Sequence, residues 1–441
     1  MLFGTNGVRG KFDELNPLLA LKIAQGIGIY FKKGKIGVAR DGRLTGECLE
    51  NAVISGLLSV GCRVINFGII SSPTAEFMIK KLSLDGLIII TASHNPPEWN
   101  ALKVVDEKGI SVSKERGEII EKIMEKIDLA KWDNTGSVQK YENAACNHIE
   151  KIMEKIDIKK ILEKKPKLVL DFGNGTSATM KTLFEKIGCE IICINEKIDG
   201  NFPNRTSEPT KEQVKELINE VKKENADCGI AWDGDGDRVI FIDEQGEYII
   251  GDRVFGISVL IKLKEGAGDI VTTVATSRLI EDIGKKFGVS TEYCKVGAPY
   301  LSEKMATGKY CIGGEEVGGV IWPEISLAKD GFCTAVKIIE KMCDKKLSGI
   351  LKEMPYYFQK KTKIEIEEKK KDFILETARK NAKKEGLKIM DMDGVRINFE
   401  DGWSIVRASG TEPAMRIFAE GKTREISEKI MEKTKELAFG L

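Results

Sequence analysis

Histidine is scarce in this chain of 441 residues, which contains only His94 and His148. That scarcity nearly excludes metal sites built on histidine and catalysis by a Ser-His-Asp triad. The ten cysteines are scattered, and no two of them form a Cys-x-x-Cys pair. Cys193, Cys228 and Cys294 fall in apolar, strand-like runs, where they are typical of small buried hydrophobic residues. This cysteine usage favours a reducing compartment, so we expect a cytoplasmic protein.

Long apolar runs and an excess of charge are also missing. No apolar stretch approaches the roughly 20 residues of a membrane-spanning helix, and the first residues lack the pattern of a signal peptide. The net charge is +1, so no basic field indicates nucleic acid or an anionic membrane as a partner. Hydrophobic residues make up 42% of the chain, which is enough for folded cores, and the length predicts roughly three domains or more.

The chain does contain one pattern of strands and helix-length stretches, and it uses this pattern three times. The strand-like runs lie at residues 35–42, 62–68, 86–91, 167–171, 189–194, 226–231, 269–274, 291–296 and 308–312. Such alternation predicts βαβ units and a mostly parallel sheet in each set. The third strand of each set opens into its most polar loop, and ligand sites lie beyond the carboxyl ends of such strands. Three related domains could thus build one site, although α/β architecture alone could also produce the similarity.

Changes in this pattern mark the boundaries. Polar residues 131–147 separate the first set from the second, a helical period at 148–165 leads into the second, and residues 251–252 open the third. Residues 347–361 link to a different pattern. The predicted domains are residues 1–144, 145–250, 251–350 and 351–441.

The C-terminal pattern predicts a strand at 362–366, a helix at 372–385 and a hairpin that joins 395–399 to 403–406. Another strand and an amphipathic helix follow. The predicted fold class is therefore α/β: three similar α/β domains with mixed, mostly parallel sheets, plus a smaller C-terminal α+β domain with an antiparallel sheet.

The loop at residues 91–103 offers one hydroxyl, that of Ser93, after the apolar run 87–90. Pro96 and Pro97 prevent an immediate helix, so Ser93 should lie on a stiff loop at the end of a buried strand. A serine nucleophile needs a base or a metal ion beside it. The simpler interpretation is a strand-to-loop turn that requires small polar residues.

Asp233, Asp235 and Asp237 alternate with glycines and form the strongest chemical signal. Carboxylates at this spacing point to one side of an extended chain, and their oxygens favour Mg²⁺, Mn²⁺ or Ca²⁺. An EF-hand loop would place Glu244 correctly but would require glycine where Arg238 stands. A solvated acidic turn is the other alternative.

Residues 407–413 follow a predicted strand and supply a guanidinium, two hydroxyls and flexible backbone N–H groups, as a phosphate site requires. Arg416 could add a second positive charge. A plain turn beside the hairpin is the alternative.

Three further glycine-rich stretches are weaker signals. Residues 4–10 and 40–43 carry arginine on ordinary-looking loops, and residues 314–319 present carboxylates suited to sugar hydroxyls.

Residues 173–178, with Glu196 about 20 positions later, approach the dinucleotide-binding fingerprint. A dehydrogenase would leave the serine, aspartate and phosphate loops unused, so a tight strand-to-helix turn is the favoured interpretation there.

Taken together, these stretches resemble the α-D-phosphohexomutase family along the whole chain, and in particular its archaeal phosphoglucosamine mutase and phosphomannomutase branch. The serine loop of the family stands at residues 91–96, its metal loop at 233–238, its sugar loop at 314–319 and its phosphate loop at 407–413. The resemblance implies four domains around a central cleft.

The resemblance also implies a mechanism. Ser93 would carry a phosphoryl group, and one Mg²⁺ would bind that group together with Asp233, Asp235 and Asp237. The phosphoryl group would pass to a hexose monophosphate and give a hexose 1,6-bisphosphate. This intermediate would turn over in the cleft and return its other phosphate to Ser93.

The resemblance further implies catalytic roles for Lys103 and Arg9 in proton transfer and transition-state charge, with His94 beside them. The substrate contacts it implies are Arg238, Lys295, Glu315, Val317, Arg407, Ser409, Gly410, Thr411 and Arg416.

The sugar loop departs from many relatives, which carry serine and histidine where this chain has Val317 and Gly319. Glucosamine 6-phosphate is the first expected substrate, followed by mannose or glucose phosphates. A phosphatase that hydrolyses the phosphate on Ser93 and a non-catalytic sugar-phosphate sensor are the alternatives. We expect small-molecule hexose phosphates as partners, and a monomer or a homodimer.

Overall fold

The computed structural model describes residues 2–4, 6–266, 268–409 and 413–440. Its strands form four sheets, and the first contains seven strands. The first unit consists of β1 (Phe3–Gly4), β2 (Gly7–Lys11), α1 (Pro17–Tyr30), β3 (Lys35–Arg40), α2 (Gly46–Ser59), β4 (Arg63–Ile69), α3 (Ser72–Leu82), β5 (Gly86–Ile90), β6 (Trp99–Asp106), α4 (Lys114–Met124) and β7 (Ser137–Lys140).

The second and third units each carry one sheet. The second consists of α5 (Ala144–Met153), α6 (Ile158–Lys164), β8 (Lys167–Asp171), α7 (Lys181–Lys186), β9 (Glu190–Ile194), α8 (Lys215–Glu224), β10 (Cys228–Trp232), β11 (Val239–Asp243) and β12 (Tyr248–Ile249). The third consists of α9 (Gly251–Glu265), β13 (Asp269–Thr273), α10 (Leu279–Phe287), β14 (Thr291–Cys294), α11 (Ala298–Met305), β15 (Tyr310–Gly314), β16 (Val320–Ile321), α12 (Gly331–Met342) and α13 (Leu347–Leu351).

The first three sheets share one strand arrangement. In each, the first strand of the set lies between the second and the third, and all three are parallel: β4-β3-β5, β9-β8-β10 and β14-β13-β15. An antiparallel strand, β6, β11 or β16, then pairs with the third. This confirms three similar α/β units with mixed sheets. The serine, metal and sugar loops all join the third strand to that antiparallel strand.

The C-terminal unit has an entirely antiparallel sheet of five strands, ordered β17-β21-β20-β19-β18. Apolar residues of its two α-helices pack with residues of the sheet in one core, as expected for a small α+β unit. Its elements are β17 (Phe358–Glu365), α14 (Lys371–Lys384), β18 (Lys388–Met390), β19 (Val395–Phe399), β20 (Gly402–Ala408), β21 (Ala414–Gly421) and α15 (Arg424–Phe439).

Several boundaries differ from the sequence-based expectation. The polar stretch 131–147 contains β7, which extends the first sheet by pairing with β4. All four residues of β7 are exposed, so the strand is held by backbone pairing and leaves no apolar signal. The helical stretch 148–165 is split into two helices, because Asp157 caps the start of α6. The predicted linker 347–361 already contains α13 and the first residues of β17.

Aromatic stacking fixes the second unit against the third. The ring of Trp232, at the end of β10, stacks on Phe172 of its own unit and on Phe332 of α12, with a centroid distance of 5.8 Å to Phe332. Asp330 caps α12 by accepting the backbone N–H groups of Phe332 and Cys333. The end of β10, where the metal loop begins, is thus held between two units.

None of the ten cysteines forms a disulfide. Among the residues with described positions, no helix combines the length and the apolar character that crossing a membrane requires.

A buried arginine joins the C-terminal unit to the third unit. Arg396 donates to the carbonyl oxygens of Val274 at 2.6 Å and Thr276 at 3.1 Å. Its guanidinium lies 3.9 Å from the ring centroid of Trp403 and 4.8 Å from that of Tyr293. The contact combines hydrogen bonds with cation–π interactions, which favour arginine over lysine.

Two buried carboxylates lie at the same junction. Asp252, at the start of α9, accepts from the N–H of Ser277 at 2.8 Å and from Nε2 of Gln359 at 2.6 Å. The same Nε2 atom lies 3.2 Å from Oε2 of Glu420. Burial, with the negative charge of Glu420 adding to it, raises the pKa of Asp252 to about 7.

We expect this junction to make stability depend on pH. Folded Asp252 keeps its proton up to about pH 7, whereas an unfolded aspartate loses it near pH 4. The free energy of unfolding therefore falls as the pH rises between these values, by roughly 4 kcal/mol. The free energy of unfolding of Asp252→Asn, relative to that of the parent, should therefore be higher at pH 8 than at pH 5. Thermal unfolding of both proteins at the two pH values measures this difference. An equal difference at both pH values would contradict this.

Candidate active site

Ser93 lies on the loop between β5 and β6. Every residue of β5 is buried, which fixes the point where the loop begins. Ser93 has a φ of 51°, a left-handed conformation that costs a non-glycine residue on the order of 1 kcal/mol. Its N–H donates to Oγ1 of Thr91 at 2.9 Å, and its own Oγ donates to Oδ2 of Asp233 at 2.7 Å. The serine loop thus presents a buried hydroxyl directly to the metal loop.

A buried arginine holds the serine loop in this conformation. The guanidinium of Arg43 donates to the carbonyl oxygens of Ser93 at 2.9 Å and Asn95 at 2.7 Å. Asp41 orients Arg43 by accepting from its Nε at 3.0 Å. The arginine loop at 40–43, a weak signal in the sequence, therefore positions the backbone around the serine.

The metal loop gathers its three aspartates in one place. One carboxylate oxygen from each of Asp233, Asp235 and Asp237 lies within 4.8 Å of the others. In the described part of the chain, Oδ1 of Asp235 and Oδ1 of Asp237 are buried without a hydrogen-bond partner. Buried anionic oxygens without donors are stabilised by a cation, so this donor set fits a divalent ion that prefers oxygen.

Glycine allows the two loops to meet. A β-carbon at Gly234 would lie 2.7 Å from the carbonyl oxygen of Ser93, so any side chain there would push the loops apart. Gly236 has a φ of 78°, which favours glycine. The alternation of aspartate and glycine therefore serves both ligand spacing and close approach.

The three aspartates sit in different electrostatic surroundings. Burial, with the charges of Asp237 and Asp235 adding to it, raises the pKa of Asp233 well above its usual range. Burial acts in the same direction on Asp235, but the ammonium of Lys103 outweighs it and holds the pKa of Asp235 below its usual range. A further positive charge beside Asp233 would favour its ionised form.

Lys103 and Arg9 bring positive charge to the serine and metal loops. Lys103 lies on β6, and its Nζ is 2.6 Å from Oδ2 of Asp235 and 3.9 Å from Oδ2 of Asp237. Burial would lower the pKa of Lys103, but the two aspartates raise it overall, so the ammonium keeps its charge. Arg9, on β2, donates to Oδ1 of Asn95 in the serine loop.

His94 is neutral in this setting. The positive charge of Arg238, then burial, then the charge of Arg9 lower the pKa of His94 to about 2. Its Nδ1 is buried and has no hydrogen-bond partner within the described ranges. The imidazole can accept or donate a hydrogen bond, but it carries no positive charge.

The sugar loop meets the metal loop through Lys329. Nζ of Lys329 lies 2.6 Å from Oε1 of Glu315 and 3.2 Å from Oδ2 of Asp237. Burial would raise the pKa of Glu315, but Lys329 and Arg238 lower it overall, so the carboxylate is ionised. Nothing in the sequence singled out Lys329, which belongs to no recognised motif and lies 14 positions after its partner.

Arg238 and Val317 lie beside this junction. Nε of Arg238 is 3.8 Å from Oδ1 of Asp237, and its Nη1 is 3.4 Å from Oε1 of Glu208. Val317 is half-buried and, with Arg238, lines a cavity of about 570 Å³ to which the second, third and C-terminal units contribute.

The phosphate-loop residues lie on the C-terminal unit. Nη2 of Arg407 is 2.8 Å from Oδ2 of Asp393, which also accepts the N–H of Val296 at 2.9 Å. The structure thus ties Arg407 to its own unit and to the third unit. Exposed Lys295 precedes Val296, and its ammonium lies 5.5 Å from the ring centroid of Tyr300.

Two other features of this loop concern the groups that the sequence predicts to bind a phosphate. Ser409 is buried, and neither its Oγ nor Nε of Arg407 has a hydrogen-bond partner in the described chain. Arg416 pairs with Arg407 across β20 and β21. Gly410 and Thr411 lie outside the described residues.

Comparison with known proteins matches four family models in order. They are described as phosphoglucomutase/phosphomannomutase alpha/beta/alpha domain I, over residues 1–131, domain II, over 146–246, domain III, over 251–357, and the C-terminal domain, over 362–437.

Similar proteins cover nearly the whole chain. A phosphoglucomutase/phosphomannomutase of Thermococcus kodakarensis is 42% identical over 98% of this chain and 97% of its own. A phosphoglucosamine mutase of Methanococcus maripaludis is 35% identical over 98% and 96%. The crystal structure of a phosphoglucomutase/phosphomannomutase family protein from Burkholderia thailandensis superposes with a TM-score of 0.88 at 26% identity, covering 99% and 97%.

Fold and site together define a class of protein that combines three repeated α/β units and an antiparallel C-terminal unit with a buried serine and an aspartate cluster. The chain belongs to the phosphoglucomutase/phosphomannomutase family of α-D-phosphohexomutases, which confirms the resemblance drawn from its loops.

Proposed function

We propose that this chain is a Mg²⁺-dependent phosphosugar mutase, an isomerase that interconverts hexose 6-phosphates and hexose 1-phosphates through a phosphoserine at Ser93. The observation that carries the proposal is the hydrogen bond of 2.7 Å between Oγ of Ser93 and Oδ2 of Asp233. It brings a nucleophilic hydroxyl into a cluster of carboxylates suited to a divalent cation. The names of the relatives support the same activity.

In the proposed reaction, a phosphoryl group on Oγ of Ser93 passes to a hydroxyl of a bound hexose monophosphate. The bond from phosphorus to the serine oxygen breaks, a bond to the sugar oxygen forms, and the hydroxyl proton of the sugar is delivered to the serine oxygen. The hexose 1,6-bisphosphate then turns over in the cleft. The reverse transfer moves its other phosphate to Ser93 and releases the isomer.

Lys103 and Arg9 would stabilise the negative charge of the transferring group. Phosphoryl transfer depends on in-line positioning and on charge stabilisation more than on covalent chemistry by the protein. Lys103 is held by Asp235 at 2.6 Å, and Arg9 is held by Asn95, so both charges are fixed before the reaction begins. Neutral His94 would contribute hydrogen bonding beside Ser93.

Asp233, Asp235 and Asp237 would hold one Mg²⁺ together with the phosphoryl group on Ser93. One carboxylate oxygen from each aspartate lies within 4.8 Å of the others, and Oδ1 of Asp235 and Oδ1 of Asp237 are buried without donors in the described chain. When bound, Mg²⁺ would neutralise charge on the phosphoryl oxygens.

The C-terminal unit would grip the phosphate that is not reacting. Because the bisphosphate intermediate reverses its orientation in the cleft, this phosphate site must bind the phosphate at either end of the sugar. We propose Arg407, Ser409, Gly410, Thr411 and Arg416 for the phosphate, and Arg238, Lys295, Glu315 and Val317 for the sugar. The proposed domains carrying these groups are residues 1–144, 145–250, 251–350 and 351–441.

Glucosamine 6-phosphate is the proposed first substrate, and the name of the Methanococcus maripaludis relative supports it. Mannose and glucose phosphates follow, in keeping with the name of the Thermococcus kodakarensis relative. A hexose 1,6-bisphosphate would act as activator as well as intermediate. We further propose that the enzyme works in the cytoplasm as a monomer or a homodimer.

A substrate panel tests this proposal. The protein is incubated with Mg²⁺, a catalytic amount of hexose 1,6-bisphosphate and the 6-phosphates of glucosamine, glucose or mannose, and products are followed by phosphorus NMR. We expect 1-phosphates to form with almost no inorganic phosphate. Stoichiometric inorganic phosphate would indicate a phosphatase, and binding without conversion would indicate a sensor; either result would overturn the mutase proposal.

Replacement of Arg43 should impair turnover through the serine loop. Arg43→Lys is expected to lower kcat about 10- to 100-fold, because an ammonium cannot reproduce the planar set of bonds to several carbonyl oxygens. The measurement is steady-state kinetics with the preferred sugar. Arg116→Lys is the matched control. Arg116 lies on α4, and its Nη1 forms an ion pair with Oδ2 of Asp106 at 2.7 Å. Equal losses in both variants would contradict the role of Arg43.

A further inference from the structure

Position 319 of the sugar loop requires glycine because of the space around it and not because of its backbone conformation. The φ of Gly319 lies outside the left-handed region, so any amino acid could adopt its backbone conformation. A β-carbon there, however, would lie 2.5 Å from Cδ of Lys329 and 3.3 Å from Oε1 of Glu315. The side chain of Lys329 therefore occupies the space that a side chain at 319 would enter.

Lys329 reaches this space from outside the sugar loop. It precedes Asp330, the N-cap of α12, and only 8% of it is exposed. Its Nζ joins Glu315 of the third unit, at 2.6 Å, to Asp237 of the second unit, at 3.2 Å. One buried ammonium thus fixes the carboxylate of the sugar loop relative to the metal loop.

We propose that Lys329 is the positioning residue of the sugar site: it fills the volume left by Gly319, fixes the carboxylate of Glu315 for the sugar, and offers its remaining N–H to the substrate. An ammonium has three donors; one donates to Oε1 of Glu315, and the ion pair with Asp237 uses at most one more, which leaves one N–H. This inference rests on the proposed function, because it assigns Glu315 to the sugar.

The physical consequence is a coupling between positions 319 and 329. A large side chain at 319 should be excluded while Lys329 is present and accommodated when Lys329 is shortened. A histidine at 319 could then donate to Glu315 in place of the ammonium. A lysine that merely neutralised buried carboxylates would give no such exchange.

The test is a double-mutant cycle of Lys329→Ala and Gly319→His, read by thermal unfolding and by steady-state kinetics. Lys329→Ala alone should raise KM about 10- to 100-fold, with a smaller effect on kcat. The reason is that the carboxylate of Glu315 loses its charge-assisted hydrogen bond from Lys329 and is no longer held in place for the sugar. Gly319→His alone should lower Tm through the clash. The double variant should regain Tm and reach a KM at least about tenfold below that of Lys329→Ala.

Lys337→Met provides the control. Lys337 is a buried lysine of α12 whose ammonium pairs with Glu265 at 2.7 Å, and its loss should leave KM unchanged. Lys329→Met serves as a second, less disruptive variant and should raise KM as Lys329→Ala does.

Additive Tm shifts in the cycle, or a KM for Lys329→Met no higher than that for Lys337→Met, would overturn the inference while a mutase activity remained. If the parent protein converts no hexose phosphate, the proposed function fails and the sugar role of Lys329 fails with it. The Tm coupling still reports on the shared space in that case, so the two failures are distinguishable.

Discussion

Ser93→Ala is expected to lower kcat by a factor on the order of 10⁴ or more, because no other group can carry the phosphoryl group between the two halves of the reaction. The fold should survive, since alanine removes one oxygen and leaves the loop bound by Arg43. Intact-mass measurement of the parent protein should find one phosphate that the variant lacks. Thermal unfolding should shift by only a few degrees.

A second serine, which contacts the serine loop from the second unit, serves as control. The hydroxyl of Ser207 donates to the carbonyl oxygen of Asn95 at 3.0 Å and is likewise buried. Ser207→Ala should keep kcat within tenfold of the parent. Substantial turnover by Ser93→Ala would exclude the phosphoserine mechanism, and equal losses in both variants would point to loop disruption instead.

Asp235→Asn is expected to lower kcat about 10³-fold and to weaken the dependence on Mg²⁺. The substitution removes one of three ligand charges and leaves Lys103 buried beside a neutral amide. Ser72 also loses an anionic acceptor, because its Oγ donates to Oδ2 of Asp235 at 2.6 Å. Activity titrated against Mg²⁺, together with calorimetric binding of Mn²⁺, would separate weaker cation binding from slower chemistry.

The matched control lies on the strand that follows the metal loop. Asp243, at the end of β11, is buried, and its Oδ1 accepts the backbone N–H groups of Gln245 and Glu247 at 2.9 Å each. Asp243→Asn should leave the Mg²⁺ dependence unchanged. An unchanged metal response in Asp235→Asn as well would mean that the aspartates do not bind the cation.

The sequence predicts the repeated strands and the loops that follow them because both leave local signals. Buried parallel strands such as β5 and β10 are continuous apolar runs, and the polar loops after them stand out by composition. The close approach of Ser93 to Asp233 was also expected, since loops at the carboxyl ends of strands converge in α/β folds.

Other features could not be predicted, because they depend on contacts between distant parts of the chain. Lys329 follows no motif and gains its role from Glu315 and Asp237, which arrive from two other loops. Arg43 was visible only as part of a glycine-containing turn. Strand β7 has four exposed residues and is defined by its partner β4 alone, so neither its apolar content nor its period marks it.

The central claim is that Ser93 and the aspartate trio share one cation. Anomalous diffraction from crystals of the phosphorylated protein soaked in Mn²⁺ tests it most directly. We expect a single ion coordinated by oxygens of Asp233, Asp235, Asp237 and the phosphoryl group on Ser93, at about 2.1 Å. An ion bound elsewhere, or one that contacts the aspartates but not the serine phosphate, would contradict the account.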